Sequence, residues 1–454
     1  MPLDLESCPE TVVECFVQLL DLDDICNLRL SCKSLALKSS QYRFRTFFRS
    51  KHINVTVDAL RTFAQGTQAG GLRSLIQELY LEGIAKEYEN RKPWRQKDWQ
   101  KEEISRTQEV NLLSQAFNGL VKYSKNRSLR LLTLRVAIVR NSEETILPAD
   151  AGPLVSLQKS MWLCTMYTFD TALYALAASN LRIDSLNIFN QPDMQRPSLA
   201  CDQINAIDWN DSGFSKSFAT LRSLSISLST RIFTLCRAIH ENKHGVGRSS
   251  KKDVAEVQAE AEDENDFVGL SRLLRLCNQL GNLEIDYFRN LRGYSDLADY
   301  FYYERILQRV VELDRLPILK RCKLSGISAE ETDLLEFIQR TRVRELSLEK
   351  VILCTGTYRS IFDYCTSRVA SMTKIHFDTL YETIYERPHR EKMIFFAGGG
   401  KSRIGFPSAS ATERLDREGD SVRTSITYYI SPRTLIDNPW IPEWRRFRRA
   451  EDGA

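Results

Sequence analysis

The chain lacks the compact motifs that mark common enzyme and metal-binding classes. Its five histidines form no H-E-x-x-H pair, its cysteines form no C-x-x-C pair, and neither G-x-S-x-G nor G-x-G-x-x-G occurs. Gly400-Lys401-Ser402 resembles the end of a P-loop, but Phe395 stands where that motif requires its first glycine. We therefore expect no catalytic residue, no cofactor and no metal site. An enzyme whose residues converge only in the fold stays open.

The chain also has little net charge and no long apolar run. Its 63 Lys and Arg against 59 Asp and Glu leave a formal charge of +4, too small to predict nucleic acid as the main partner. Met161 to Ala178 is interrupted by Thr165 and Asp170, which predicts a buried helix and not a membrane span. The N-terminus has no basic region of the kind that begins a signal peptide. The eleven cysteines are dispersed along the chain, which is typical of reduced thiols. We therefore expect a cytoplasmic or nuclear protein without a membrane anchor.

The first fifty residues predict two short amphipathic helices. In the first helix, apolar residues recur with helical spacing at Val12, Val13, Phe16, Val17 and Leu20. Asp21 and Asp23 can cap the second helix, so the predicted break lies at Leu20 to Asp23. Ile25, Leu28 and Cys32 continue an apolar stripe on that second helix. Two helices of this size cannot cover their own apolar faces, so they must pack on the rest of the chain or on another protein.

The order of motifs here is Pro9, then Val-Val-x-x-Phe-Val-x-Leu-Leu, Asp-Leu-x-Asp-Ile and Leu-Arg-Leu-x-Cys-Lys. It resembles the F-box, the N-terminal module of substrate-recognition subunits in cullin–RING ubiquitin ligases, and more narrowly the F-box proteins of filamentous fungi. The resemblance covers about residues 5–50. The family usually has leucine before the proline, whereas this chain has Cys8, which also behaves as a small apolar residue.

The resemblance implies that residues 1–50 form an F-box domain that docks on a Skp-type adaptor, which in turn joins a cullin. Carried over by position, the adaptor contacts would be Pro9, Val13, Leu20, Leu22, Ile25, Leu28, Cys32 and Lys33. The alternative is that these side chains pack against the C-terminal body of the same chain.

Beyond the N-terminal helices, the template apolar-x-x-apolar-x-apolar fits the chain eight times. The eight fits begin at Ile76, Leu129, Ile183, Leu221, Leu280, Leu319, Val343 and Met372. Each fit ends in the alternation of a half-buried strand. Helical patterns lie between them, for example at Leu297 to Leu313, Asp333 to Arg340 and Tyr358 to Cys365.

A strand followed by a helix, repeated, is typical of leucine-rich repeats, although the usual Asn or Cys ladder is missing here. We therefore predict an α/β fold class: a short N-terminal helical F-box followed by an irregular leucine-rich-repeat-like arch of alternating strands and helices over residues 51–400. Residues 316–367 also resemble the C-terminal half of the same fungal F-box proteins, which supports this architecture and names no substrate.

Two segments are expected to lie outside the regular repeats. Residues 240–266 change from basic to acidic with few large apolar side chains, which predicts a solvated charged insertion. Residues 401–454 are expected to form a Gly/Ser-containing linker and a basic tail that includes Trp440 to Ala454. Trp94 and Trp99, in a charge-rich stretch, are expected to pack on the body, with a partner contact as the alternative.

Two functions from different classes follow. The first is the substrate-recognition adaptor of an SCF-type ubiquitin ligase, with the helices holding the Skp-type adaptor and the arch holding an unknown protein substrate. The second is a non-ligase protein-binding scaffold whose N-terminal helices cap the repeat domain, since the ends of solenoids must be capped. The two hypotheses differ in whether the apolar helix faces meet a partner or the chain itself.

Overall fold

The computed structural model describes residues 5–86, 96–124, 126–139, 146–147, 155–191, 197–229, 267–287, 305–383, 391–397 and 411–431. The predicted insertion at 240–266, the basic tail from Trp440 and the side chains of Trp94 and Trp99 lie outside the described residues.

Within this part of the chain the α-helices are α1 (Glu10–Val17), α2 (Leu22–Ser31), α3 (Lys33–Lys38), α4 (Tyr42–Thr46), α5 (Val57–Gln68), α6 (Gln96–Tyr123), α7 (Val155–Ser179), α8 (Cys201–Asn205), α9 (Ser212–Phe218), α10 (Val268–Leu276), α11 (Ile306–Val311), α12 (Glu331–Thr341) and α13 (Arg359–Thr366).

The β-strands are β1 (Ser50–Asn54), β2 (Glu78–Lys86), β3 (Ser128–Leu129), β4 (Leu131–Val139), β5 (Ile146–Leu147), β6 (Arg182–Ile183), β7 (Ser185–Ile188), β8 (Leu199–Ala200), β9 (Ser223–Ser229), β10 (Asn282–Tyr287), β11 (Arg321–Ser325), β12 (Ser328–Glu330), β13 (Glu345–Glu349), β14 (Ile352–Thr355), β15 (Lys374–Asp378), β16 (Tyr381–Thr383), β17 (Glu391–Ala397), β18 (Ala411–Thr412), β19 (Arg414–Glu418) and β20 (Tyr428–Ile430).

Local side-chain chemistry sets the ends of the first helices. Asp21 caps α2, because its carboxylate accepts a hydrogen bond from the backbone N–H of Asp24 at 2.8 Å. Cys32 has an extended backbone that ends α2, and its Sγ accepts a hydrogen bond from the N–H of Leu35 at 3.3 Å to open α3. The break between α1 and α2 covers residues 18–21, within two residues of the predicted position.

A large, mostly parallel β-sheet forms the body of the chain. Ten strands lie side by side in the order β1-β2-β4-β7-β9-β10-β11-β13-β15-β19, and in this row only β19 runs antiparallel to its neighbour. Parallel neighbours need a crossover connection, which α6 provides between β2 and β4 and α13 provides between β13 and β15. The predicted α/β fold class is confirmed.

The eight predicted strands are β2, β4, β7, β9, β10, β11, β13 and β15, which are neighbours in this sheet. Their template positions pair in register, so that Leu283 lies opposite Leu224 on one side and Cys322 on the other. These three side chains are at most 2% exposed. Burial of each such apolar side chain contributes about 1.5–3 kcal/mol to the stability of the fold. Because the buried positions of neighbouring strands lie side by side, they form one continuous core.

A turn of similar backbone shape follows each of three neighbouring parallel strands, β11, β13 and β15. Gly326, Lys350 and Thr379 come directly after β11, β13 and β15, and their φ angles are 69°, 54° and 56°. Each turn leads into a short strand, β12, β14 or β16, and these three pair in parallel in a second sheet. The equivalent positions of the turns show that the chain repeats the same local path.

Residues 411–431 complete both sheets. Strand β19 pairs with β15, while β18 and β20 pair with β17, and Val422 is fully buried. The sheets thus extend past the predicted domain boundary at residue 400. This part of the predicted linker and tail is folded against the body, because its strands supply hydrogen bonds to strand edges that would otherwise be open.

The most apolar stretch, Met161 to Ala178, lies within α7 and is largely buried, as predicted. Phe169 and Leu173 are fully buried, and so is Thr165, whose hydroxyl donates a hydrogen bond to the carbonyl of Trp162 at 2.9 Å. In the part of the chain that the structure describes, no helix combines the length and apolar character that crossing a membrane requires.

Candidate docking surfaces

The N-terminal helices have a hydrophobic core of their own, contrary to the expectation that they could not cover their apolar faces, because four helices are present where two were predicted. Val13, Val17, Ile25, Leu35 and Phe44 are its buried members, and we call this group the helical core. The body of the chain has a separate core, built from the sheet and the helices that follow it. Among the described residues, the two groups do not merge into one cluster of buried side chains.

Contacts of charged side chains fix the arrangement of these helices. The ammonium of Lys38 donates a hydrogen bond to the carbonyl of Cys8 at 2.8 Å, which ties α3 to the segment before α1. The guanidinium of Arg29 lies over the Phe44 ring, 4.0 Å from its centroid. The Cys8 side chain packs partly buried against the helical core, where the resembling family has a leucine.

Apolar side chains remain exposed on the outside of the same helices. We call Val12, Phe16, Leu19, Leu30, Leu37 and Tyr42 the exposed apolar set. They are six of the thirteen exposed large apolar side chains among the described residues, although these helices are a small part of the chain. Leu19 and Leu30 are 85% and 84% exposed. Such a concentration of exposed apolar area is typical of a surface that meets a partner.

The eight predicted adaptor contacts fall into three groups. Pro9 and Lys33 are exposed; Leu20, Leu22, Leu28 and Cys32 are half-buried; Val13 and Ile25 are fully buried. The four half-buried side chains pack against the helical core and keep part of their surface accessible. Val13 and Ile25 hold the helices together and cannot touch a partner in this arrangement.

The predicted set omitted Phe16 and Leu19, which are exposed, whereas the predicted contacts Val13, Leu20, Leu22, Ile25, Leu28 and Cys32 are buried or half-buried. The signal was in the sequence, because α1 is apolar on two adjacent faces. Val13 and Val17 lie on one face and Val12 and Phe16 on the other, each pair four residues apart. A helix needs one apolar face for its own core, so the second face is available for docking.

The outward face of the main sheet carries a polar groove of about 460 Å³, which we call the sheet groove. It crosses β9, β10, β11, β13 and β15, and its polar lining residues are Ser223, Ser225, Asn282, Glu284, Arg321, Lys323, Glu345, Ser347, Lys374 and His376. These positions alternate along each strand with the buried apolar positions, as the pleat of a sheet requires.

Ion pairs cross the sheet groove from strand to strand. The Lys323 ammonium lies 3.0 Å from a carboxylate oxygen of Glu349 and 3.8 Å from one of Glu284. Burial lowers the pKa of Lys323, but the hydrogen bond and charge of Glu349 together with Glu284 outweigh it and raise that pKa. The hydroxyl of Ser225 donates to the second oxygen of Glu284 at 3.1 Å. These lining side chains are therefore held in place by contacts within the sheet.

His376 joins the last parallel strand to the antiparallel edge strand. Its Nδ1 lies 2.6 Å from an oxygen of Asp416, and its Nε2 lies 3.7 Å from an oxygen of Glu349. A hydrogen bond from Arg414 lowers the pKa of Asp416. Among the described residues no cluster of His, Cys, Asp and Glu has the geometry of a metal site. The charged side chains at this edge of the sheet are therefore paired with one another.

The cysteines of the described chain are free thiols, and several are deeply buried. Burial raises the pKa of Cys277 and of Cys365 to about 12, and that of Cys164 to about 12 as well. A thiol with so high a pKa carries little thiolate at neutral pH, so these side chains serve packing and not nucleophilic chemistry.

Compared with models of protein families, the chain matches none, and no curated protein matches it significantly in sequence.

Proposed function

We propose that this chain is the substrate-recognition adaptor of an SCF-type cullin–RING ubiquitin ligase. Residues 1–50 would be the F-box that docks on a Skp-type adaptor and through it on a cullin. The body would be an irregular leucine-rich-repeat-like arch whose outward sheet face holds a protein substrate. No residue of this chain does chemistry; modification is accelerated because substrate and ligase are held at high effective concentration. This activity belongs to the cytoplasm or nucleus.

The observation that carries the proposal is the exposed apolar set on helices that already have their own core. Phe16 is 50% exposed and Leu19 is 85% exposed, although Val13 and Val17 beside them are fully buried. The fold of the helices does not need the exposed side chains, whereas a partner that covered them would gain their burial.

The repeat architecture of the body is supported by two regularities. Eight strands continue the same apolar register from Leu79 to Ile375 across the sheet. Turns with positive φ recur at Gly326, Lys350 and Thr379. Both regularities are expected when one strand-and-turn unit is repeated along the chain.

The scaffold alternative assigns the N-terminal helices to capping the repeats. A cap contributes its apolar residues to the core of the neighbouring repeat. Here the helical core and the body core are separate clusters among the described residues, and Ile53 of the first body strand and Val55 just after it belong to the body core. Because the two cores are separate, we favour the hypothesis that the helices bind a partner over the hypothesis that they cap the end of the sheet.

The experiment is co-expression of the full chain with a Skp-type adaptor and a cullin, followed by size-exclusion chromatography. The proposal expects the three proteins to elute together as one complex. Elution of a folded full chain apart from the adaptor and the cullin would contradict it and favour the scaffold.

A further inference from the structure

A line of basic side chains borders the sheet groove at the amino ends of its strands. Arg222, Lys320 and Arg344 directly precede β9, β11 and β13, and all three are exposed. We call them the basic rim. The residues that follow them, Ser223, Arg321 and Glu345, line the sheet groove, so the basic rim directly precedes the groove along each of the three strands.

Backbone hydrogen bonds fix the spacing of the basic rim. The N–H of Gly281 donates to the carbonyl of Arg222 at 2.9 Å, and the N–H of Lys320 donates to Gly281 at 2.6 Å. The N–H of Glu345, next to Arg344, donates to Lys320 at 2.9 Å. Adjacent strands lie about 4.8 Å apart, so Lys320 and Arg344 are neighbours and Arg222 lies about 10 Å from Lys320.

The rim differs from the groove in how its charges are compensated. In the groove, Arg321 pairs with Glu345 at 2.7 Å and Lys374 pairs with Glu418 at 3.3 Å. Within the described part of the chain, no such carboxylate contact is formed by Arg222, Lys320 or Arg344. Like charges on adjacent strands repel each other, and an anionic ligand that bridged them would relieve the repulsion.

The spacing of the three basic residues limits which kind of anionic ligand can contact all of them. The rim spans about 15 Å, the length of about five residues of extended chain at 3.3 Å per residue. The cations of the adjoining groove, Arg321, Lys323 and Lys374, already pair with carboxylates, so a polyphosphate that extended from the rim into the groove would find its charges unmatched there. A peptide with a few carboxylates can place them on the rim and turn its other side chains toward the groove.

We propose that the basic rim and the sheet groove bind an extended acidic segment of a protein substrate, with two or three carboxylates within about five residues. This inference rests on the proposed function, because it names the chemistry of the segment that such an adaptor would recognise. It also assigns the recognition to side chains outside the N-terminal helices.

The test measures binding of a fluorescein-labelled peptide, Glu-Ser-Glu-Ser-Glu-Ser, to the purified full chain by fluorescence anisotropy. Charge reversal by Lys320→Glu with Arg344→Glu should lower the affinity at least tenfold. The matched control, Lys216→Glu with Arg275→Glu, reverses two exposed basic residues on helices and should change the affinity less than twofold. Higher salt should weaken binding, because exposed charges are screened.

Several results would overturn the assignment. These are absence of peptide binding to the unaltered chain, equal losses in the two double variants, and equal binding of a peptide with glutamine in place of glutamate. Displacement of the peptide from the rim by a tighter-binding decamer of thymidylate would assign the surface to nucleic acid instead. The Skp-type adaptor is absent from this assay, so its outcome is independent of adaptor docking. Capture of the adaptor by the rim variants, measured separately, should be unchanged.

Discussion

Phe16 and Val17 are neighbours on α1, yet Val17 is fully buried in the helical core while Phe16 is 50% exposed. One helix therefore has two apolar faces with different environments. The inner face holds the four helices together, and the outer face carries part of the exposed apolar set. Because different residues form the two faces, mutation can separate folding from docking.

Val17→Ala should destabilise the N-terminal helices by about 2 kcal/mol, because it removes buried methyl groups and leaves a cavity. Phe16→Ala should leave their stability nearly unchanged, because the ring is half exposed. Amide hydrogen exchange of residues 10–17 measures both effects locally. Equal loss of protection in the two variants would show that Phe16 also belongs to the helical core.

Asp21→Ala should lower the stability of α2 by about 1 kcal/mol, since it removes the acceptor for the N–H of Asp24. Asp23→Ala is the matched control, because Asp23 lies inside the first turn of α2 and the cap itself is Asp21. Hydrogen exchange of residues 22–31 reports the difference. Similar protection in both variants would argue that charge near the helix start, and not the cap, stabilises α2.

Gly326→Ala should destabilise the body by about 2 kcal/mol, because a side chain at positive φ is strained. The added Cβ would also lie 2.3 Å from the carbonyl oxygen of Tyr287. Lys350→Ala makes the same alanine at the equivalent turn, where a side chain already tolerates φ of 54°. Its effect should be within about 0.5 kcal/mol. Urea denaturation compares the two, and equal midpoints would contradict the repeated-turn account.

Glu109 on α6 is buried, and burial raises the pKa of its carboxyl from 4.5 to about 7. The folded chain therefore holds this proton more tightly than the unfolded chain. The stability linked to the bound proton is full below pH 4.5 and is lost as pH rises to about 7. Glu109→Gln should raise the melting temperature at pH 8 and have little effect at pH 4.5. An identical gain at both pH values would rule out titration of Glu109 as the cause.

Much of the body was predictable because the apolar positions of each strand lie within a few residues of one another in the sequence. The L-x-L step at Leu346 and Leu348 predicts a strand with one buried face, and those residues lie in β13 with both side chains buried. The same template located the eight neighbouring strands of the sheet, since each carries its own pair of inward positions. Helix α2 was also predictable from neighbouring residues, because Asp21 is of a residue type that caps helix N-termini.

The rest depends on contacts between distant residues. The three parallel strands of the second sheet, β12, β14 and β16, are three or four residues long and too short to show a period. Strand β19 is identified only by its pairing with β15, as in the contact of Asp416 with His376. Likewise, the choice of Val13 and not Phe16 for the helical core depends on where the neighbouring helices pack.

We propose that the outer face of the N-terminal helices docks on a Skp-type adaptor. The most direct measurement is the equilibrium affinity of purified adaptor for the full chain, for Phe16→Asp with Leu19→Asp, and for Ile318→Asp with Val369→Asp. The last pair changes exposed apolar residues of the body, 66% and 83% exposed, as a matched control. We expect binding to the unaltered chain and the control, and at least a hundredfold loss in the helix variant with its fold retained. Equal affinity of the adaptor for all three proteins would contradict the account.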